Sequence, residues 1–140
     1  MVQMDITRIQ FPDDTFDVIY CSHVLEHVPE DRQAMREFHR VLKPGGWTVL
    51  QVPVTVDVTF EDPTVTDPAE RKRLFGQNDH VRRYGPDYRD RLVGAGFTVQ
   101  AIPCTSQFSE REIRKYGLDR TENVYLCRKA GNASQGATRT

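Results

Sequence analysis

No stretch of the 140 residues approaches the roughly 20 continuous apolar positions of a membrane-spanning helix, and the mean hydropathy is −0.59. Residues 1–10 carry none of the basic-then-apolar pattern of a secretory leader. Cysteine is scarce: Cys21, Cys104 and Cys127 are an odd number at wide spacing, which argues against a disulfide framework. Neither sign of charge dominates, since the formal net charge is −1 and the isoelectric point is near 6.4. Electrostatic recruitment of nucleic acid or of an anionic membrane is therefore not expected. No internal repeat is present. The expectation from these absences is a cytoplasmic α/β domain with no membrane span.

Apolar residues make up 38% of the chain and charged residues 28%, ordinary for one globular core of modest size. Charge is unevenly spread. Residues 1–60 hold five Lys/Arg against nine Asp/Glu, while residues 61–140 hold fourteen against eleven. Two basic clusters, Arg71-Lys72-Arg73 and Arg82-Arg83, read as solvated helix faces.

Phe16-Asp17-Val18-Ile19-Tyr20-Cys21 is a β-rich run bounded by the turn signal Phe11-Pro12-Asp13-Asp14. A helix is predicted from near Pro29, with Met35, Phe38, Val41 and Leu42 at helical spacing, stopped by Lys43-Pro44-Gly45-Gly46. Trp47 to Val52 is almost continuously apolar, as in a parallel strand covered on both faces. Asp67-Pro68-Ala69-Glu70 opens a short helix through Phe75 that Gly76 ends. Gly85-Pro86 begins another, with Tyr88, Leu92 and Val93 inward and Gly94-Ala95-Gly96 as its end. Residues 97–102 form a strand halted by Pro103, Ser109-x-x-Glu112 caps a further helix, and Asn123 to Cys127 is the last strand. The alternation predicts a mostly parallel sheet with helical crossovers, in which ligands bind beyond the carboxyl ends of the strands. The small polar tail 130–140 reads as disordered.

His23-Val24-Leu25-Glu26-His27 satisfies the inverted zinc-peptidase signature H-x-x-E-H. That chemistry needs both imidazoles on one helix face and a glutamate over a metal-bound water. Here the residues directly follow a strand and Pro29 comes two positions later, so a connecting turn is expected and no metal is assigned. Glu61, Glu70 and Asp79 are available as a third ligand, but none stands out.

The block from Phe11 to Val28, followed one helix later by Arg40-Val41-Leu42-Lys43-Pro44-Gly45-Gly46, resembles the class I S-adenosylmethionine-dependent methyltransferases. More narrowly, it resembles the small-molecule group typified by the ubiquinone and menaquinone biosynthesis enzymes. The resemblance implies a Rossmann-like α/β domain over residues 1–129, S-adenosylmethionine as cofactor, and a small-molecule methyl acceptor, lipid- or sugar-like. By the same resemblance, Asp5 and Ile6 meet the adenine, the former as an acceptor for its exocyclic amine. Cys21, Ser22 and His23 stand where the family holds the cofactor's amino group, and Glu26-His27 near the methyl group and the substrate mouth, with Glu26 a substrate-binding candidate. Acceptor recognition falls to the segment after Val52, with Asp79, His80, Arg83 and Tyr84 as the polar and aromatic candidates. Where the acceptor must lose a proton, His27 or His80 suits near neutral pH.

The resemblance also has a gap. The family's first strand ends in a glycine-rich loop and its second in an acid for the ribose, and no G-x-G precedes Asp5 here. On that reading Met1 to Asp5 lie mid-sheet, the family's first two strands are absent, and the strand at 16–21 keeps an unpaired edge. The expectations are weak cofactor binding by this chain alone and self-association through that edge. The alternatives are a non-catalytic association module completed by another chain and, more remotely, a zinc metallopeptidase built on His23, Glu26 and His27.

Overall fold

The computed structural model describes residues 1–132; of the tail read as disordered, 133–140 lie outside the described residues. The chain runs β1 (Phe16–Ser22), a 3₁₀ turn (Leu25–His27), α1 (Asp31–Val41), β2 (Leu42–Gln51), β3 (Phe60–Glu61) and α2 (Pro68–Phe75). It continues through β4 (Arg82–Arg83), α3 (Tyr88–Gly94), β5 (Thr98–Pro103), α4 (Glu110–Tyr116) and β6 (Asn123–Arg128). Four strands form a sheet in the order β1-β2-β6-β5, and β3 pairs with β4 in a separate two-stranded sheet. No described helix is long and apolar enough to cross a membrane.

The sheet is mixed, which corrects the expectation of a mostly parallel one. β1 and β2 pair in parallel around the crossover helix α1, but β6 inserts antiparallel between β2 and β5. A helix between two strands normally marks a parallel crossover. Here the seven-residue α4 belongs to a connection that brings the chain back alongside β5 in the opposite sense. The alternation of strands and helices that predicts parallel pairing does not exclude an antiparallel return of this kind.

Met1 to Asp5 form no strand. Asp5 instead opens a turn: its carbonyl accepts from the Arg8 amide at 3.0 Å, and its carboxylate accepts from the Thr7 amide and hydroxyl. The segment beyond is fastened to α1, where Glu37 accepts from the Ile9 amide at 2.8 Å and Arg40 donates to the carbonyls of Ile9 and Phe11.

α1 starts two residues later than Pro29 and buries Ala34, Met35, Phe38 and Val41, the i, i+4 spacing of one apolar stripe. It ends at Val41 before any glycine is reached, and the chain turns directly into β2. Lys43 to Gly46 bulge from the ladder opposite the single residue Asp17, since Phe16 pairs with Leu42 and Val18 with Trp47. A side chain at Gly46 would meet the carbonyls of Asp17 and Lys43 at 2.8 Å, so only glycine fits there. The local caps read from sequence are present: Asp67 accepts from the Glu70 amide, Gly76 is left-handed, and Ser109 and Glu112 form a reciprocal capping box.

The core lies on one side of the sheet. Leu50, Val52, Met35, Phe38, Tyr88 and Leu92 are buried in one cluster, with Ile19 and Cys21 packed against it, and the Tyr88 hydroxyl donates to the Leu50 carbonyl at 2.9 Å. The other face of β1 and β2 is open, contrary to the expectation of a doubly covered strand. Val18 is 46% exposed, Tyr20 73% and Trp47 39%. Val93, expected inward on α3, is exposed as well.

Candidate functional site

β1 and the end of β2 leave the sheet side by side, and the His23 amide donates to the Gln51 carbonyl at 2.9 Å. His23 then takes a left-handed backbone conformation, φ +56°, which turns the chain sharply into the 3₁₀ turn. That turn is held from behind by Arg82, which is 2% exposed. Its guanidinium donates to the carbonyls of Leu25, Val28 and Pro29 at 2.6–2.8 Å and to Glu61 at 2.8 Å. A buried guanidinium is tolerated when its donors are paired, and here every bond is charge-assisted. A second link joins the Val81 amide to the Glu26 carbonyl at 2.9 Å. The turn after β1 and the segment 75–83 thus form the two walls of one site.

Between those walls is an open cavity of about 480 Å³, lined among others by His23, Glu26, His27, Phe75, His80 and Arg83. Glu26 is 2% exposed, and its Oε2 is buried with no hydrogen-bond partner among the described residues. Its Oε1 lies 3.7 Å from His27 Nε2 and 3.7 Å from His23 Nδ1. His27 Nδ1 lies 3.3 Å from Asp79 Oδ2, and the His27 and His80 rings meet edge to face with centroids 4.6 Å apart. Ligand atoms of Glu26, His27 and His80 all fall within 4.8 Å of one another.

The structure therefore brings together part of the residue set read from sequence. His23, Glu26, His27, His80 and Arg83 line the cavity, and Asp79 backs His27. Asp5 and Ile6 do not line it, and the Asp5 carboxyl, held low by the Thr7 hydroxyl and amide, already has donors of its own. Cys21 and Ser22 stand just behind, at the end of β1. Burial and the neighbouring Glu26 push the Cys21 thiol up to about 11, so it remains a neutral packing group. Tyr84 is wholly buried: its hydroxyl donates to Asp31 Oδ2 at 2.6 Å, which removes it from acceptor recognition. Burial raises its pKa further.

The peptidase geometry is not formed. Residues 25–27 make a single 3₁₀ turn, His23 points out exposed, and the third member of the cluster is His80 rather than a carboxylate. Arg82 is the residue of the site that sequence reading missed. The Arg82-Arg83 pair is not a solvated helix face but a two-residue strand, with one guanidinium buried and the other at the cavity. The clue, two charges between Val81 and Tyr84, is too brief to separate from a surface loop.

A family profile described as a methyltransferase domain matches residues 1–50. Phosphoethanolamine N-methyltransferase 3 of Arabidopsis thaliana is 33% identical over 123 residues, covering 84% of this chain and 22% of that protein. A ubiquinone/menaquinone biosynthesis C-methyltransferase of Citrobacter koseri is 49% identical over 45 residues, covering 32% of this chain and 18% of that protein. The chain thus spans about a fifth of the length of these curated relatives. In three dimensions, an S-adenosylmethionine-dependent methyltransferase from Mesorhizobium loti superposes with a TM-score of 0.56 at 19% identity, covering 89% of this chain and 67% of the other, which speaks to the fold alone.

Proposed function

Because the chain belongs to the class I S-adenosylmethionine-dependent methyltransferases, covering part of that domain, we propose that it serves methyl transfer to a lipid- or sugar-like small molecule. The acceptor enters the cavity between the His23–His27 turn and residues 75–83. The observation that carries this reading is the convergence of Glu26, His27 and His80 in one cavity beyond the carboxyl ends of β1 and β2. Methyl transfer is an in-line displacement at a sulfonium carbon, so positioning supplies most of the help. His27, backed by Asp79, is the group arranged to take a proton from the acceptor, because a carboxylate at Nδ1 fixes the imidazole with Nε2 toward the cavity. Arg83, whose Nε donates to the Thr55 hydroxyl at 3.2 Å, orients a polar group of the acceptor. Cofactor binding falls to the end of β1 through Cys21, Ser22 and His23, and to Asp5 and Ile6 at the adenine.

These 140 residues contain no glycine-rich loop before Asp5, so the chain by itself is expected to bind S-adenosylhomocysteine more weakly than micromolar. Calorimetric titration checks this, and a micromolar dissociation constant overturns it. Methyl transfer itself is tested with labelled S-adenosylmethionine against phosphoethanolamine and a demethylated quinone. Turnover lost in His27→Ala supports the role given to His27; turnover unchanged in that variant removes it. A second reading, an association module placed in the cytoplasm and pairing with another copy, rests on the open apolar face at Val18, Tyr20 and Trp47.

A further inference from the structure

Glu26 is a difficulty for the fold as it stands. A carboxylate that is 2% exposed, with one oxygen lacking a partner among the described residues, carries an unrelieved desolvation cost. Among the described residues no lysine or arginine is paired with it; the imidazoles of His23 and His27 each lie 3.7 Å from its other oxygen. Arg82 lines the same cavity, but its donors are spent on three carbonyls and on Glu61.

The surroundings suit a cation. Two imidazoles and one carboxylate, with ligand atoms within 4.8 Å of one another, match the three-protein-ligand set of an open divalent site. Two donors of a tetrahedral ion at bond lengths of about 2.0–2.1 Å stand roughly 3.4 Å apart. The 3.7 Å between Glu26 Oε1 and His27 Nε2 is therefore within a small side-chain adjustment of that spacing. His27 also has the outer partner that ligating histidines commonly show: Nδ1 lies 3.3 Å from Asp79 Oδ2, which leaves Nε2 free to bind. His80 arrives from the opposite wall, 53 residues further along the chain, so an ion would tie the two walls of the cavity together.

We propose that Glu26, His27 and His80 form a site for a divalent transition-metal ion of the zinc class, with its fourth position open to the cavity. Asp79 orients His27 from outside the ligand set. When bound, such an ion polarises an oxygen or nitrogen that enters the open position. The site uses Glu26 as a ligand rather than as a peptidase base, and it does not use His23. It shares the acceptor cavity described above, and an ion on His27 Nε2 takes up the lone pair that proton acceptance needs, so His27 acts as a base only in the metal-free chain. Metal binding is measured without cofactor or acceptor and so stands or falls separately from methyl transfer.

The experiment is titration of the chelator-treated chain with Zn²⁺ by calorimetry, and with Co²⁺ by visible absorption. One equivalent should bind with a micromolar or tighter dissociation constant, and Co²⁺ should give the strong ligand-field absorption of a four-coordinate site. His80→Ala and Glu26→Gln should each weaken binding at least tenfold. His27→Ala, at a half-exposed position, should do the same in a chain whose circular dichroism is unchanged, which keeps the test clear of unfolding. Asp79→Asn should weaken binding about tenfold, and His23→Ala should leave it as it was. Absence of saturable binding overturns the site. So does an affinity equal in the parent chain and His27→Ala, or a sulfur-to-cobalt charge-transfer band that puts the ion on a cysteine.

Discussion

On one face of the four-stranded sheet, Ile19, Cys21 and Leu50 pack into the cluster supplied by α1 and α3; on the other, Val18, Tyr20 and Trp47 meet solvent. The two sets alternate along the same strands, and the register pairs them across: Val18 with Trp47, Cys21 with Leu50. Their apolar character is similar and their surroundings are not. The covered side also holds the buried charges. Asp31 at the start of α1 accepts from Arg91 of α3 at 2.8 Å and from Tyr84, while Glu61 accepts from Arg91 at 2.7 Å and from Arg82 at 2.8 Å. Stability and the candidate site thus depend on one side of the sheet, and the other side is free for association.

The sharpest way to break that contrast is to remove bulk from each face in turn. Leu50→Ala, at a position with no exposure, should cost about 2–5 kcal/mol because the cavity left behind cannot fully collapse. Urea denaturation measures it. A cost below about 1 kcal/mol at Leu50 would mean that the covered face is loosely packed and that the two faces do not differ in kind.

Arg82→Met comes next. It keeps the length of the aliphatic stem but strands the carbonyls of Leu25, Val28 and Pro29, together with one side of Glu61. Losing one partner of a buried charged group costs about 3 kcal/mol or more. Since Arg82 holds the 3₁₀ turn that carries Glu26 and His27, the variant should also loosen the cavity walls. Hydrogen exchange at the amides of residues 25–28 should speed up more than at β6. Uniform acceleration would assign Arg82 to global stability alone.

What could be read from the residues in advance divides along similar lines. Features carried by neighbours in sequence were legible: the cap at Asp67, the capping box at Ser109 and Glu112, the stripe on α1, and the strand that starts at Phe16. The pairing of His27 with His80 was not, because it is made across a fold and both residues look like ordinary polar positions. Nor was the burial of Arg82 and Tyr84, which depends on Asp31, Glu61 and Leu25 arriving from distant segments. The antiparallel entry of β6 and the openness of one sheet face are likewise properties of the assembled sheet. The continuous apolar run from Trp47 to Val52 pointed to two covered faces, and only the assembled sheet leaves Trp47 on an open one.

A smaller effect concerns acid. Burial works against ionisation of Glu61, but the hydrogen bonds from Arg91 and Arg82 outweigh it and pull its pKa from 4.5 to about 2. A carboxylate whose folded pKa lies below its unfolded value binds fewer protons in the folded chain. It contributes stability above about pH 4.5 and loses it as the pH falls from there toward 2. Solvent at this partly exposed group screens the gain, so the acid limb should be shallow. Glu61→Gln should flatten that limb in thermal melts between pH 4.5 and 2 and leave its shape above pH 5 unchanged.

The smallest effect on stability is expected on the open face, and it is the most informative about what that face is for. Val18→Thr combined with Tyr20→Thr places β-branched, strand-favouring side chains on an edge strand that among the described residues pairs with β2 alone. Neither side chain contributes to the buried cluster, so the double variant should melt within about 0.5 kcal/mol of the parent. If two copies associate through this strand, the pair supplies the apolar contact at the seam, while the free edge of β1 supplies the backbone donors and acceptors. Light scattering should then report a dimer or larger species for the parent and a monomer for the variant. A parent that is monomeric at the same concentration removes self-association altogether. A dimer that survives the double substitution moves the contact away from this face. In either case the contrast between the two faces would describe packing alone.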